Sequence, residues 1–220
     1  MNRRALMTRS LTVGAAALLG AELVGCSDPS AQSTTRQTPA SPLSTSGSKV
    51  LLAYFSRPGE NYHYGGRKDL EFGNTQVLAD MISSVASVDV YRIEAAEPYS
   101  QDYEETVERN RREQDSEARP TITGALPTLE PYDTVLLGSP IWNVRPPMIM
   151  RTFVESVDLR GKTIHPFVTY AVSGMAATIE DYTRLCSDAT IGEGLAVRGE
   201  EVNDAGADVA AWLQRTSLRV

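Results

Sequence analysis

Short, wholly apolar runs alternate along this chain with segments whose apolar residues recur every three or four positions. That alternation restricts the fold more than any other feature. Val50-Leu-Leu-Ala-Tyr-Phe55 is flanked by Lys49 and Ser56 and has the look of a strand buried on both faces. Asn74 to Val85 places Val77, Leu78, Met81 and Ile82 on one helical stripe. Further strands are predicted at Val88–Ile93, Thr134–Gly138, Thr163–Tyr170 and Thr190–Val197. Further helices are predicted at 100–118, at 147–157 behind Pro147, at 178–186 and at 205–214. Five strands interleaved with helices imply an α/β domain, a doubly wound five-stranded parallel sheet covered on both faces. Such sheets bind ligands at the carboxyl ends of their strands, so the loops after Phe55, Gly138 and Thr169 are the ones to inspect.

Composition narrows the function. With 41% apolar and 22% charged residues the 220-residue chain is globular rather than disordered. A formal charge of −7 argues against nucleic-acid binding, which needs a basic face. Two cysteines and two histidines exclude a disulfide framework and a cysteine-rich or histidine-built metal centre. The charged stretch 100–118 reads as a solvated helix face, with Glu105/Arg109 and Glu108/Arg112 as four-residue ion pairs.

The front of the chain is a different object. Arg3, Arg4 and Arg9 precede an uncharged run from Ser10 to Ala21. As a helix that run spans about 18 Å, short of the ~30 Å hydrocarbon core of a bilayer. A cationic start, a short apolar core and then small residues describe a secretory signal. Arg3-Arg4 before Ala5-Leu6-Met7 resembles a twin-arginine export signal, and Leu23-Val24-Gly25-Cys26 resembles the lipobox of bacterial lipoproteins. Residues 1–26 are therefore expected to be a signal peptide with Cys26 as lipidation site. Residues 27–47, rich in Ser, Thr and Pro, are expected to be a tether, and 48–220 the folded domain.

Three loops carry the candidate chemistry. Ser56-Arg57-Pro58-Gly59 and the helix-opening Gly73-Asn74-Thr75 offer hydroxyls and free N–H groups suited to a phosphate, although the glycine spacing matches neither a Walker loop nor a dinucleotide fingerprint. Pro140-Ile141-Trp142-Asn143 puts a Trp just past a strand end, either as a stacking platform or as a partly covered core side chain. Thr169-Tyr170-Ala171-Val172-Ser173-Gly174 adds an aromatic ring, hydroxyls and a glycine. One phosphate site and two ring-contacting loops are the layout needed for FMN. Cys186 reads as a buried structural thiol and His165, before Pro166, as a packed side chain.

The stretches VLLAYFSRPGENY, FGNTQVLADMI, YDTVLLGSPIW, LRGKTIHPF and GLAVRGEEV together resemble the flavodoxin-like proteins of bacteria. The resemblance implies sheet order 2-1-3-4-5 and non-covalent FMN. It assigns the phosphate to Ser56, Gly59, Asn74 and Thr75. It sets Pro140, Ile141, Trp142 and Asn143 on one side of the isoalloxazine and Thr169, Tyr170, Ser173 and Gly174 on the other. Pro58 stands where relatives carry a hydroxyl residue, and the interruption at 57–73 is long for a compact domain. Tyr62, His63, Tyr64, Arg67 and Lys68 within it are candidates to compensate. The expectation is an electron-transfer flavoprotein anchored through Cys26 on the extracytoplasmic face of the membrane. Its partners would be redox proteins or a small-molecule electron acceptor. The alternatives are an NAD(P)H-dependent quinone or flavin reductase and a non-catalytic surface protein without flavin.

Overall fold

The structure, a computed structural model, describes residues 49–218. The segment expected as a signal, with Cys26, and the segment expected as a tether lie outside the described residues.

Strand β1 (Val50–Phe55) occupies the middle of the sheet because every one of its side chains is apolar and buried. It pairs in parallel with β4 (Asp89–Ile93) on one side and β5 (Thr134–Pro140) on the other. Outside β5 lies β6 (Thr163–Tyr170), whose outer edge pairs with β7 (Thr190–Ile191) and β8 (Leu195–Arg198). The sheet is thus the expected 2-1-3-4-5 arrangement, with its fifth position divided between two short strands.

That division corrects the single strand expected at 190–197, and its cause is local. Even-numbered residues of β6 present their backbone groups to the fifth position, as the bond from the Gly192 N–H to the Ile164 carbonyl shows. Pro166, next in that row, has no N–H to contribute. The chain opposite leaves the ladder at Gly192–Gly194, and the freed Glu193 carbonyl accepts from Trp212 Nε1 at 3.0 Å and from His165 Nδ1 at 3.0 Å. His165 is packed, as expected.

Successive side chains of a strand point to opposite faces, and two cores result. Leu52 and Tyr54 face helices α1 (Asn74–Val85) and α5 (Gly206–Arg215) in a layer with Leu78, Ile82, Phe167 and Trp212. Leu51, Ala53 and Phe55 face the opposite layer, with Ile149 and Phe153 of α3 (Met148–Ser156) and Tyr182 of α4 (Thr178–Leu185). Cys186 is buried in that second layer, and burial pushes its thiol up to about 11. The charged helix is α2 (Tyr103–Asp115), started by the Asp102 carboxylate accepting the Glu105 N–H. Its buried row is polar: Thr106, Asn110 and Glu113. Arg109 pairs forward to Glu113 at 2.7 Å rather than back to Glu105, while Glu108 and Arg112 approach to 4.0 Å.

The segment expected as a loop at 57–73 folds instead as an antiparallel hairpin, β2 (Gly59–His63) and β3 (Gly66–Leu70). Its two-residue connection Tyr64-Gly65 has positive φ at both positions, the type I′ turn that suits strand twist. A 3-10 helix (Gly199–Asp204) leads from β8 to α5. Among the described residues no helix is long and apolar enough to cross a membrane, and no group of metal-ligating side chains gathers.

Candidate functional site

The carboxyl ends of β1, β5 and β6 lie along one edge, and an open cleft lies there. Eight of the twelve residues expected at the site line it: Ser56, Asn74, Thr75, Pro140, Ile141, Trp142, Thr169 and Tyr170. Asn143 lines an adjoining cavity, while Gly59, Ser173 and Gly174 line neither.

At one end the cleft meets the start of α1. The helix begins at Gly73, which has no side chain to cap it. Ser56, arriving from β1, does so instead, its Oγ accepting the Gln76 N–H at 3.0 Å. The N–H groups of Asn74 and Thr75 donate to no protein acceptor among the described residues, and they carry the positive end of the helix dipole. Thr75 Oγ1 is joined to Thr169 Oγ1 at 2.7 Å, both residues buried, so the helix start is tied to the end of β6.

Sequence reasoning took Ser56 to Gly59 as one continuous loop; the structure separates them. The chain leaves the cleft at Pro58, makes the hairpin, and returns at Gly73, where any Cβ would overlap Ser56 Oγ and the Arg57 carbonyl. Gly59 packs on Gln101 with φ of 86°. Gly73 is therefore the glycine on which close approach to Ser56 depends. Asn61 and Tyr62 bring the hairpin into the cleft wall, and the Tyr64 N–H reaches Glu200 Oε1 across its mouth at 3.0 Å. Gly199, Glu200, Asn61 and Arg57 also line the cleft and were missed. A glycine directly after the last strand and the Tyr-Gly-Gly turn were the available signals. Arg57 is buried, held by the carbonyls of Ser100, Gln101 and Glu60, and burial pushes its guanidinium below the usual value.

At the other end stands Trp142. Its ring meets Phe55 edge-on (5.6 Å, 87°) and Tyr99 likewise (5.1 Å, 73°), so it is both a cleft wall and an extension of the core. Behind it the Tyr99 hydroxyl donates to Glu113 Oε2 at 2.8 Å, and burial raises that hydroxyl's pKa. Arg109 lies 3.9 Å over the Tyr99 ring and braces Glu113. Beyond Trp142 the chain reverses: Trp142 and Arg145 exchange backbone hydrogen bonds around Asn143 (φ 48°) and Val144 (φ 62°). Asn tolerates that region, whereas a β-branched Val there is strained. Tyr170 closes the cleft from β6.

A family model described as flavodoxin matches residues 69–216, more than half of the chain, from within β3 to just past α5. The chain belongs to the flavodoxin family. Among solved structures, this flavodoxin-family chain is similar to a protein of Bacteroides eggerthii classed as a flavoprotein, with 27% identity and a TM-score of 0.62 over 78% of this chain and 99% of that one. A similarly classed protein of Bacteroides uniformis gives 27% and 0.61 over 76% and 99%. A flavoprotein of Lactobacillus acidophilus, solved in complex with FMN, shares the fold at 19% identity and a TM-score of 0.52, over 71% of this chain and 97% of that one. No curated protein matches the sequence.

Proposed function

We propose that the cleft binds FMN without a covalent bond. We further propose that the protein is an electron-transfer flavoprotein held on the extracytoplasmic face of the cell membrane through lipidated Cys26. One observation carries the reading: a single cleft joins the free N–H groups of Asn74 and Thr75 at one end to Trp142 and Tyr170 at the other. A helix start binds a phosphate, and aromatic side chains bind a flat ring.

The residues present fit that ligand. Ser56, Asn74 and Thr75 would hold the phosphate, with Gly73 leaving room for it. Trp142 and Tyr170 would flank the ring, and the Thr75–Thr169 hydroxyl pair keeps the two ends in register. Bound FMN supplies the redox chemistry, while the protein supplies position, stacking and exclusion of water. Family membership and the FMN complex of the Lactobacillus acidophilus relative support the cofactor. The charge of −7 supports docking to a basic redox protein, and the signals in residues 1–26 support export and anchoring.

The test is spectroscopic. The purified protein should show visible flavin absorption that bleaches on chemical reduction and returns as a basic haem protein is reduced. A colourless protein that takes up no added FMN refutes the cofactor. A flavin-loaded protein that passes electrons to no haem protein, yet is reduced by NAD(P)H, replaces the carrier with a reductase.

A further inference from the structure

A second cavity, of about 280 Å³, adjoins the ring end of the cleft, and Arg57, Asn61, Tyr103, Ile141 and Trp142 line both. Its other wall is the α2 face carrying Val107, Asn110 and Arg111. Three features distinguish it from a gap in packing. Asn110 is only 3% exposed; its Oδ1 accepts from Gln114 Nε2 at 3.4 Å, but its own Nδ2 donates to no acceptor among the described residues. Such a donor on a residue that lines the cavity is open to an acceptor that enters there. Arg57, shared by both cavities and 6% exposed, is held by carbonyls alone, has no carboxylate within ion-pair distance among the described residues, and keeps a buried, unpartnered Nε. Elsewhere on α2 Arg109 and Arg112 pair with glutamates, whereas the exposed Arg111, which lines the cavity, pairs with none among the described residues.

Two cations without carboxylate partners and an amide donor thus converge on an apolar wall, in a chain whose net charge is −7. A local positive pocket on an acidic protein concentrates anions there. Val107, Ile141 and the Trp142 ring select for a flat apolar body. We propose that this cavity is a second ligand site, specific for a small planar aromatic anion such as a ring bearing a carboxylate or sulfonate. As the seat of a small-molecule redox partner it rests on the flavin reading above; as an anion site it stands on Asn110, Arg111 and Arg57 alone.

Anthraquinone-2-sulfonate, titrated calorimetrically into the FMN-loaded protein, should bind one to one and leave the flavin on the protein after desalting. The uncharged parent anthraquinone should bind more weakly. Arg111→Ala should loosen the sulfonate by about tenfold or more, the loss of one charge-assisted contact. Asn110→Asp, near in shape but acidic and without the donor, should loosen it further. Circular dichroism confirms that each variant is folded. Absence of binding, unchanged affinity in both variants, or displacement of FMN by the sulfonate each overturns the proposal. A protein that takes up no FMN refutes the flavin reading instead, and the same titration on that protein still decides the anion site.

Discussion

Gln114 grips Asn143 and the peptide before it with both ends of one side-chain amide: its Oε1 accepts from Asn143 Nδ2 at 2.8 Å, and its Nε2 donates to the Trp142 carbonyl at 3.1 Å. Helix α2 thereby fixes the turn that aims Trp142 at the cleft. Removing the grip with Gln114→Ala should cost about 1–3 kcal/mol, two hydrogen bonds at ~0.5–1.5 each. Urea unfolding measures it, and FMN affinity should fall in the same variant. Unchanged stability would show that the turn holds its shape alone.

The same turn carries strain that can be relieved. A Val at φ of 62° costs roughly 1–2 kcal/mol, of which glycine's greater chain entropy returns part to the unfolded state. Val144→Gly should therefore raise thermal stability by about 0.5–1 kcal/mol, a shift of roughly 2 °C in Tm for a domain of this size. A lower Tm would mean that the exposed Val side chain contributes contacts that outweigh its backbone.

Trp142 is expected to matter twice. Stacking on an indole adds ~0.5–1.5 kcal/mol beyond area burial, so Trp142→Ala should weaken FMN by roughly tenfold or more. Loss of the edge contacts to Phe55 and Tyr99 should also lower stability in the flavin-free protein. Fluorescence titration with FMN and thermal melts without it separate the two effects.

Gly73→Ala should damage the cleft in a way that a glycine change in open space does not. Its methyl would collide with Ser56 and Arg57, whereas Gly206, at the start of α5, has open space around it. FMN binding should fall more than tenfold in the first variant and stay within about twofold of the parent in Gly206→Ala. Equal binding by both would remove Gly73 from the site.

The Cys186 thiol sets a pH dependence whose sign follows from burial. Its folded value, about 11, lies above the ordinary 9.0, so the unfolded chain ionises first as pH rises. The stability it contributes is intact below about pH 9 and is lost between there and about pH 11. Cys186→Ala should flatten the alkaline limb of a stability profile. In a Cys26→Ala background, alkylation at pH 8 should be slow until the protein is unfolded.

For export, Arg3→Lys together with Arg4→Lys should leave precursor inside the cell, because a protein loaded with FMN in the cytoplasm must cross the membrane folded. Cys26→Ala should yield exported protein that no longer sediments with membranes. Cell fractionation reads both outcomes. Normal export of the double-Lys chain would point to the general secretory route.

Much of this molecule was legible before any coordinates. Val50–Phe55 declares itself because a strand covered on both faces is apolar throughout. The stripe in α1 repeats with the helical period. Those local rules also place the three loops at one edge of the sheet, hence most of the cleft. The hairpin at 59–70 was not legible, because it buries no continuous apolar face and leaves no periodic trace. What the tertiary structure alone decided is which distant residues meet. Gly73 rather than Gly59 lies against Ser56, since only the folded hairpin brings the chain back there. Gln114 meets Asn143 across 29 positions, and Pro166 breaks a strand that is distant in sequence. Burial periodicity is a property of each segment by itself, but contact between segments depends on how their surfaces pack, and no single segment encodes that.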